Sequence, residues 1–136
     1  MTRRFALAAA LALMSAGVAA VSLARPAPAA STYVPFTRAA FERAQAEDRR
    51  ILVDVYAAWC STCQAQETVL ERLTARADNA DLIVFRVDFD TQTEEVRRFR
   101  APRQSTLIAY RGTRMTGILV ADTRASEIAA LIDTTR

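Results

Sequence analysis

The sequence contains neither histidine nor lysine, and its 136 residues include only two cysteines and three glycines. Without histidine or lysine, no ordinary general base near neutral pH is left apart from carboxylates, the cysteines and the chain's own amine. A closed zinc site needs four nitrogen or sulfur ligands, so one chain with two cysteines and no histidine does not complete it. Any reactive centre therefore has to be built from sulfur and carboxylate groups.

The charges of the chain are balanced outside its first segment. The 18 basic residues are all arginines and stand against 15 acidic residues, which gives a formal net charge of +3. Three of the arginines lie among residues 1–29, which hold no acidic residue, so the remaining 15 arginines equal the 15 acids. A neutral domain gives no electrostatic reason to expect a nucleic-acid or membrane-surface partner.

Residues 1–29 have the pattern of an export signal peptide. Two arginines at positions 3 and 4 precede an uncharged apolar run over residues 5–23, and Ala27-Pro28-Ala29 fits the small-x-small pattern of a cleavage site. The apolar run approaches the roughly 20 residues of a membrane span, so an uncleaved N-terminal membrane anchor is the alternative. In both cases we expect an exported, periplasmic domain, in a compartment where disulfides persist.

Residues 30–136 are predicted to form one domain, preceded by a proline-containing linker over residues 25–35. The predicted helices cover residues 37–47, 60–77, 91–99 and 126–133, and the predicted strands cover residues 51–56, 82–89, 106–110 and 115–120. Thr37 is the expected cap of the first helix, and Thr91 or Thr93 that of the third. Strand–helix–strand units imply parallel pairing, and the segment 111–114 predicts a closing hairpin. The predicted fold is a three-layer α/β/α sandwich with a mixed central sheet.

The two cysteines, Cys60 and Cys63, have the spacing C-x-x-C directly after the first predicted strand. Cys60 falls where the strand ends and a helix begins, where unpaired N–H groups and the helix dipole favour a thiolate. This stabilisation of roughly 1–2 kcal/mol lowers the pKa of the Cys60 thiol by on the order of one unit. Cys63 lies one turn further along and is shielded, so we expect Cys60 to attack and Cys63 to resolve. A buried Cys60, or one that reacts with alkylating agents no faster than free cysteine, would count against exchange chemistry as a whole.

Two other uses of the cysteine pair remain open from the spacing. A purely structural disulfide across so short a loop would stabilise the fold by only about 2 kcal/mol. A metal ion is the second alternative, because two chains together would supply four thiolates.

Residues 51–63, ILVDVYAAWCSTC, resemble the active-site segment of the thioredoxin family, in which W-C-x-x-C follows an apolar strand. The resemblance extends from about Phe36 to the C terminus. It implies a thioredoxin-like fold, a redox-active disulfide between the two cysteines, exchange through a mixed disulfide, and no cofactor. The dipeptide Ser61-Thr62, which is not Gly-Pro, is similar to that of exported, reductant-fed members.

The resemblance also assigns roles to three residues near the cysteines. Asp54 matches a buried carboxylate that relays the proton of the resolving thiol, and the alternative is a carboxylate that faces solvent or only pairs with a base. Arg86 falls where many members carry a lysine that pairs with this carboxylate, and a permanently charged arginine would favour its ionised form against desolvation. Trp59 is expected to pack beside the disulfide, with core filling as the alternative.

Ser105 is the clearest departure from the family pattern, because it stands where members carry a cis-proline just before the strand that begins at Thr106. A cis bond before a residue other than proline costs about 3 kcal/mol, so we expect a trans Gln104–Ser105 peptide. In the family this loop holds the substrate strand, and the proline ring helps to keep metals from the thiols. The Ser105 hydroxyl could instead bind the Cys60 thiolate. Ala121 stands where members often have glycine.

These features predict an exported thiol–disulfide oxidoreductase of the protein-disulfide reductase type. Its partners would be disulfide-bearing proteins and a membrane dithiol that donates electrons, with membrane contact only through residues 1–29 if these stay attached. The dipeptide between the cysteines does not fix the redox potential, so a periplasmic oxidase or isomerase is the alternative within the same fold. A metallochaperone-like module, which uses the thiols as ligands, is the alternative from another class.

Overall fold

The computed structural model of the protein describes residues 33–136, and the predicted export segment, residues 1–29, lies outside the described residues. The strands are β1 (Tyr33–Pro35), β2 (Arg50–Tyr56), β3 (Ile83–Asp88), β4 (Thr106–Arg111) and β5 (Arg114–Val120). The helices are α1 (Arg38–Ala46), α2 (Ser61–Thr74), α3 (Thr93–Arg98) and α4 (Ala125–Asp133), with a short 3₁₀ turn at Ala77–Asn79. None of the helices within residues 33–136 is long and apolar enough to cross a membrane.

The five strands form one mixed sheet in the order β1-β3-β2-β4-β5. Central strand β2 pairs parallel with β3 and antiparallel with β4, which continues into β5 through a hairpin. The hairpin turn contains Gly112 at φ +54, a conformation that glycine adopts without a Cβ penalty. Helices α1 and α3 cover one face of the sheet, and α2 and α4 cover the other. The predicted three-layer sandwich with a mixed sheet is confirmed.

The first strand was missed by the sequence analysis, and the predicted linker is wrong for its last three residues. Residues Tyr33–Pro35 pair in parallel with β3, with Tyr33 opposite Val84 and Pro35 opposite Arg86. Proline cannot donate to a strand ladder, but it is tolerated at the end of a strand on the edge of a sheet. Its shortness and its proline made this strand look like part of the preceding proline-containing segment.

The N-terminal caps of two helices differ in how well the sequence predicts them. Thr37 caps α1, and its hydroxyl oxygen accepts a backbone N–H of the first turn at 3.2 Å, as expected. For α3 the expectation of Thr91 or Thr93 is wrong, because the capping position is Gln92. Both the N–H and the hydroxyl of Thr91 donate instead to the Asp88 carboxylate, each at 2.8 Å.

The alternation of side chains along β2 determines what faces the cysteine-bearing helix. Ile51, Val53 and Val55 lie in the core under α1 and α3, whereas Leu52 lies in the core under α2 and α4. Successive strand residues point to opposite faces, so Asp54 shares the face of Leu52 and points towards α2. An ionisable group is thereby buried on the side of the sheet covered by the helix that contains Cys63.

At the opposite end of β2, the buried Arg50 joins three segments of the chain. Its guanidinium donates to the Asp81 carboxylate at 2.6 Å, to the Asn79 side-chain oxygen at 3.0 Å and to the Thr135 hydroxyl at 2.9 Å. Because a buried arginine is tolerated only when its donors find acceptors, these bonds tie the C terminus and the loop before β3 to the start of β2.

Candidate dithiol site

The two cysteines lie at the junction of β2 and α2, as the sequence predicts. Cys60 is the N-cap of α2, with φ −90 and ψ 110, and its Sγ accepts the backbone N–H of Cys63 at 3.1 Å. A sulfur here takes the capping role that a serine or aspartate oxygen usually performs. Both cysteines are free thiols in this structure.

The exposure of Cys60 differs from what the sequence led us to expect. Cys60 is 4% exposed and Cys63 is 1% exposed, so the sulfur assigned to the attack is nearly as well covered as its partner. The cover comes from Tyr56 and Phe89, which pack against the cysteine pair, and from the buried Ser105 at 3.1 Å. The burial of Cys60 therefore counts against the expectation of an exposed attacking thiol, and the two thiols differ less by exposure than by acidity.

The acidity of the two thiols is shifted in opposite directions. Desolvation opposes ionisation of Cys60, but hydrogen bonds from the side chains of Cys63 and Ser105 and from the N–H groups of Cys63 and Thr62 outweigh it and lower the pKa of the Cys60 thiol. Desolvation raises the pKa of the Cys63 thiol, and its hydrogen bond to Cys60 raises it further. The cap position therefore favours ionisation of the Cys60 thiol, whereas the neighbouring Cys63 thiol holds its proton more tightly.

Ser105 lies between the two sulfurs. Its hydroxyl oxygen is 3.1 Å from the Cys60 Sγ and 3.3 Å from the Cys63 Sγ, and the residue is fully buried. The described chain contains no cis peptide, so the Gln104–Ser105 bond is trans, as expected. Where family members turn the chain with a cis-proline, this chain has a trans peptide and a left-handed φ of +61 at Ser105.

Gln66 is a residue of this site that the sequence analysis missed. It is fully buried on α2, and its side-chain amide donates to the carbonyl of Ser105 at 3.2 Å and to that of Asp122 at 2.9 Å. Ala121 donates its N–H to the Ser105 carbonyl at 2.8 Å and has a φ of +55, a conformation that glycine adopts without a Cβ penalty. The sequence signal for Gln66 was its position as a polar residue on the apolar face of α2, which Val69 also occupies.

Asp54 belongs to a network of charged side chains that also contains Arg86 and Glu67. The Arg86 guanidinium donates to the Asp54 carboxylate at 3.1 Å and to the Glu67 carboxylate at 2.8 Å. The same guanidinium lies between two tyrosine rings, 3.6 Å from the centre of Tyr33 and 3.9 Å from that of Tyr56. The expected pairing of Arg86 with Asp54 is present, and Glu67 and the two rings are additions that hold Arg86 in place.

The competition between desolvation and the ion pair at Asp54 ends in favour of desolvation. Asp54 is 2% exposed, and burial raises the pKa of Asp54 from 3.8 to about 6, although the charge and the hydrogen bond of Arg86 act in the opposite direction. A carboxyl group that titrates near the working pH is suited to accept and release protons.

The remaining predicted residues lie around the cysteine pair in different environments. Trp59 is 63% exposed, so it does not fill the core, and its indole N–H donates to the Asp90 carboxylate at 2.8 Å. Gln104 is half-buried beside Ser105. Thr106 is buried, and its hydroxyl donates to the Arg103 carbonyl at 2.7 Å, away from the sulfurs. In the part of the chain that the structure describes, no group of three or more Cys, His, Asp or Glu side chains is arranged to hold a metal ion.

Comparison with known proteins identifies the family. The family model described as Thioredoxin matches residues 32–134. A thioredoxin from Mycobacterium tuberculosis is 38% identical over 65 residues, which cover 47% of this chain and 54% of that protein. The chain thus spans about half the length of this relative.

Solved structures agree with this result. The crystal structure of Trxlp from Edwardsiella tarda has a TM-score of 0.71 and 41% identity, and the match covers 74% of this chain and 97% of that one. A thioredoxin from Malassezia sympodialis, at 19% identity and a TM-score of 0.66, shares the fold over 76% of this chain and 92% of its own. With a family model that matches most of its length and a W-C-x-x-C segment at the start of α2, this chain belongs to the thioredoxin family.

Proposed function

We propose that the protein is a thiol–disulfide oxidoreductase whose reacting groups are Cys60 and Cys63. The observation that carries this proposal is the position of Cys60 as the N-cap of α2, where its Sγ accepts the Cys63 N–H at 3.1 Å. This position agrees with the opposite directions in which the pKa values of the two thiols are shifted. Thiol–disulfide exchange needs one sulfur that is ionised and attacks, and a second that stays protonated until the mixed disulfide has formed. The family membership of the chain supports the same chemistry.

The reaction proceeds in two exchange steps. The Cys60 thiolate attacks one sulfur of a partner disulfide, so that a bond from Cys60 to the partner forms, the partner's S–S bond breaks, and the leaving thiolate takes a proton from solvent. Cys63 then gives its proton to the Asp54 carboxylate and attacks the Cys60 Sγ. The second partner sulfur leaves as a thiolate and takes a proton from solvent, and Asp54 returns the Cys63 proton to solvent. The partner has then gained two electrons and two protons, and the dithiol has become a disulfide.

The neighbouring residues support these steps. Trp59 directly precedes Cys60 and is 63% exposed, so its ring offers the partner an apolar contact, and its bond to Asp90 fixes its position. Gln104 and Thr106 flank Ser105 and form the loop against which a substrate strand would lie. Arg86 holds the Asp54 carboxylate in place.

We assign the protein to the reductase branch that acts outside the cytoplasm, with disulfide-bearing proteins as substrates and a membrane dithiol as electron donor. A redox titration of the Cys60–Cys63 pair against glutathione tests both the activity and its direction. We expect one reversible two-electron transition at a potential near that of thioredoxin, about −270 mV. A potential near about −120 mV would assign the protein to the oxidases. Absence of a reversible transition, or about half an equivalent of metal per chain after reducing purification, would refute the exchange function.

Export is the second element of the proposal, and it depends on the charge and apolar pattern of residues 1–29. When the full chain is produced in a bacterium, we expect the mature protein in the periplasmic fraction, with a mass that corresponds to loss of residues 1–29. A full-length mass in the membrane fraction would support the anchor instead, and a full-length mass in the cytoplasmic fraction would refute export.

A further inference from the structure

We propose that the Ser105 hydroxyl is a catalytic hydrogen-bond donor that serves both sulfurs in turn, first the Cys60 thiolate before attack and then the Cys63 thiolate during resolution. This proposal rests on the dithiol exchange proposed above, and it assigns the same hydroxyl to both exchange steps.

The position of the Ser105 hydroxyl fits this double use. It lies within hydrogen-bond distance of both sulfurs, at 3.1 Å from Cys60 and 3.3 Å from Cys63. A serine hydroxyl has a single hydrogen and can donate to only one acceptor at a time, but the hydrogen moves between acceptors by rotation about the C–O bond. Because the residue is fully buried, water does not compete for this hydrogen.

The backbone of Ser105 is fixed on every side. Its N–H donates to the Val55 carbonyl at 2.9 Å, and its carbonyl accepts the Ala121 N–H at 2.8 Å and the Gln66 amide at 3.2 Å. A non-glycine residue at φ +61 is strained, and such strain persists only where the surroundings over-determine it. These contacts hold the hydroxyl at the sulfur pair, so rotation of the hydroxyl hydrogen is the motion that redirects the bond.

The redox steps require a hydrogen bond at two different sulfurs. In the reduced protein the negative charge resides on Cys60, and Ser105 donates to it. Once Cys60 forms the mixed disulfide, its sulfur is neutral, and the charge that appears next is on Cys63 as its proton leaves for Asp54. Ser105 then donates to this thiolate until the Cys60–Cys63 bond forms and the partner sulfur departs. The Ser105 proton stays on its oxygen throughout.

Single-cysteine variants separate the two uses. Ser105→Ala is combined with Cys63→Ala, to isolate Cys60, and with Cys60→Ala, to isolate Cys63, and the rate of alkylation is followed against pH. Loss of a hydrogen bond to a charged group shifts a pKa by about one unit or more, so we expect an increase of this size for the remaining thiol in both backgrounds. Thr106→Val is the matched control, since it removes a neighbouring buried hydroxyl that is bonded to Arg103, and we expect no shift from it.

Ser105→Gly distinguishes the hydroxyl from the strained backbone, because it removes both. We expect Gly and Ala to raise the thiol pKa values alike. A shift with Ala but not with Gly, a shift in the Cys60 background alone, or no shift in either would overturn the proposal. These titrations are independent of turnover, so failure of the redox titration in the unmodified protein would refute the exchange function while leaving the thiol–hydroxyl contacts measurable.

Discussion

Cys60→Ser is expected to reduce the rate of disulfide reduction by a factor on the order of a thousand or more, since it removes the nucleophile itself. The remaining Cys63 cannot substitute, because burial raises the pKa of its thiol and so disfavours the thiolate that would attack. Cys63→Ser has a different expected outcome: the first exchange still occurs, and a covalent adduct between Cys60 and the partner accumulates. Mass spectrometry of acid-quenched mixtures with a model disulfide measures both results.

Ser61→Ala is the control for this pair of variants, because Ser61 is exposed in the same helical turn and bears no assigned role. We expect it to reduce disulfides at the rate of the unmodified protein. Because Cys60 is only 4% exposed, the alkylation rate is an independent check. If Cys60 reacts at neutral pH no faster than free cysteine, or if Cys63→Ser abolishes adduct formation, the assignment of Cys60 as nucleophile is wrong.

The features that the sequence predicts correctly are those that depend on neighbours along the chain. The buried strand before Cys60 could be predicted because both of its faces are apolar. The helix after it could be predicted because a capping residue is followed by apolar residues with a period of 3.6. The hairpin at Gly112 could also be predicted, because its turn is formed by residues that are adjacent in the sequence. The pairing of Arg86 with Asp54 was anticipated only because the family resemblance supplied a register.

The features that the sequence does not reveal depend on contacts between distant segments. The family resemblance brought Ser105 to Cys60, 45 residues away, but neither the burial of Cys60 nor the left-handed backbone of Ser105 could be predicted from a local pattern. Gln66 bonds to a carbonyl 39 residues away, and Arg50 to a hydroxyl 85 residues away. Polar residues on apolar faces indicate that such partners exist, but the fold alone determines which they are.

Asp54→Asn is expected to stabilise the protein at neutral pH while slowing the reaction. The pKa of Asp54 in the folded protein is raised to about 6 from 3.8, so the folded state holds this proton more tightly than the unfolded state does. The stability that Asp54 contributes is therefore complete below about pH 4 and is lost as the pH rises through about 6. Asparagine does not ionise and keeps an oxygen acceptor for Arg86, so the variant avoids this loss.

The expected difference in the free energy of unfolding between Asp54→Asn and the unmodified protein grows by up to about 3 kcal/mol between about pH 4 and about pH 8. Urea denaturation of both reduced proteins across this range measures it. Asp88→Asn is the control, because hydrogen bonds from Thr91 lower the pKa of Asp88, so the stability that Asp88 contributes is already present above about pH 4. The difference between this variant and the unmodified protein should therefore stay nearly constant from about pH 4 to about pH 8. A difference for Asp54→Asn that does not change with pH would contradict the raised pKa.

The cost of Asp54 to stability at neutral pH is itself an argument for its role in the exchange. A buried carboxylate that destabilises the fold is retained where activity needs it, and this one faces the helix that carries Cys63. Removal of a group that accepts a proton in a rate-limiting step costs roughly a hundredfold or more. We therefore expect the mixed disulfide of Asp54→Asn to resolve at least that much more slowly and to lose the dependence of this step on pH near 6. A more stable variant that resolves its mixed disulfide at the normal rate would leave Asp54 without a catalytic function, and the Cys63 proton would then have to leave directly to the departing sulfur of the partner.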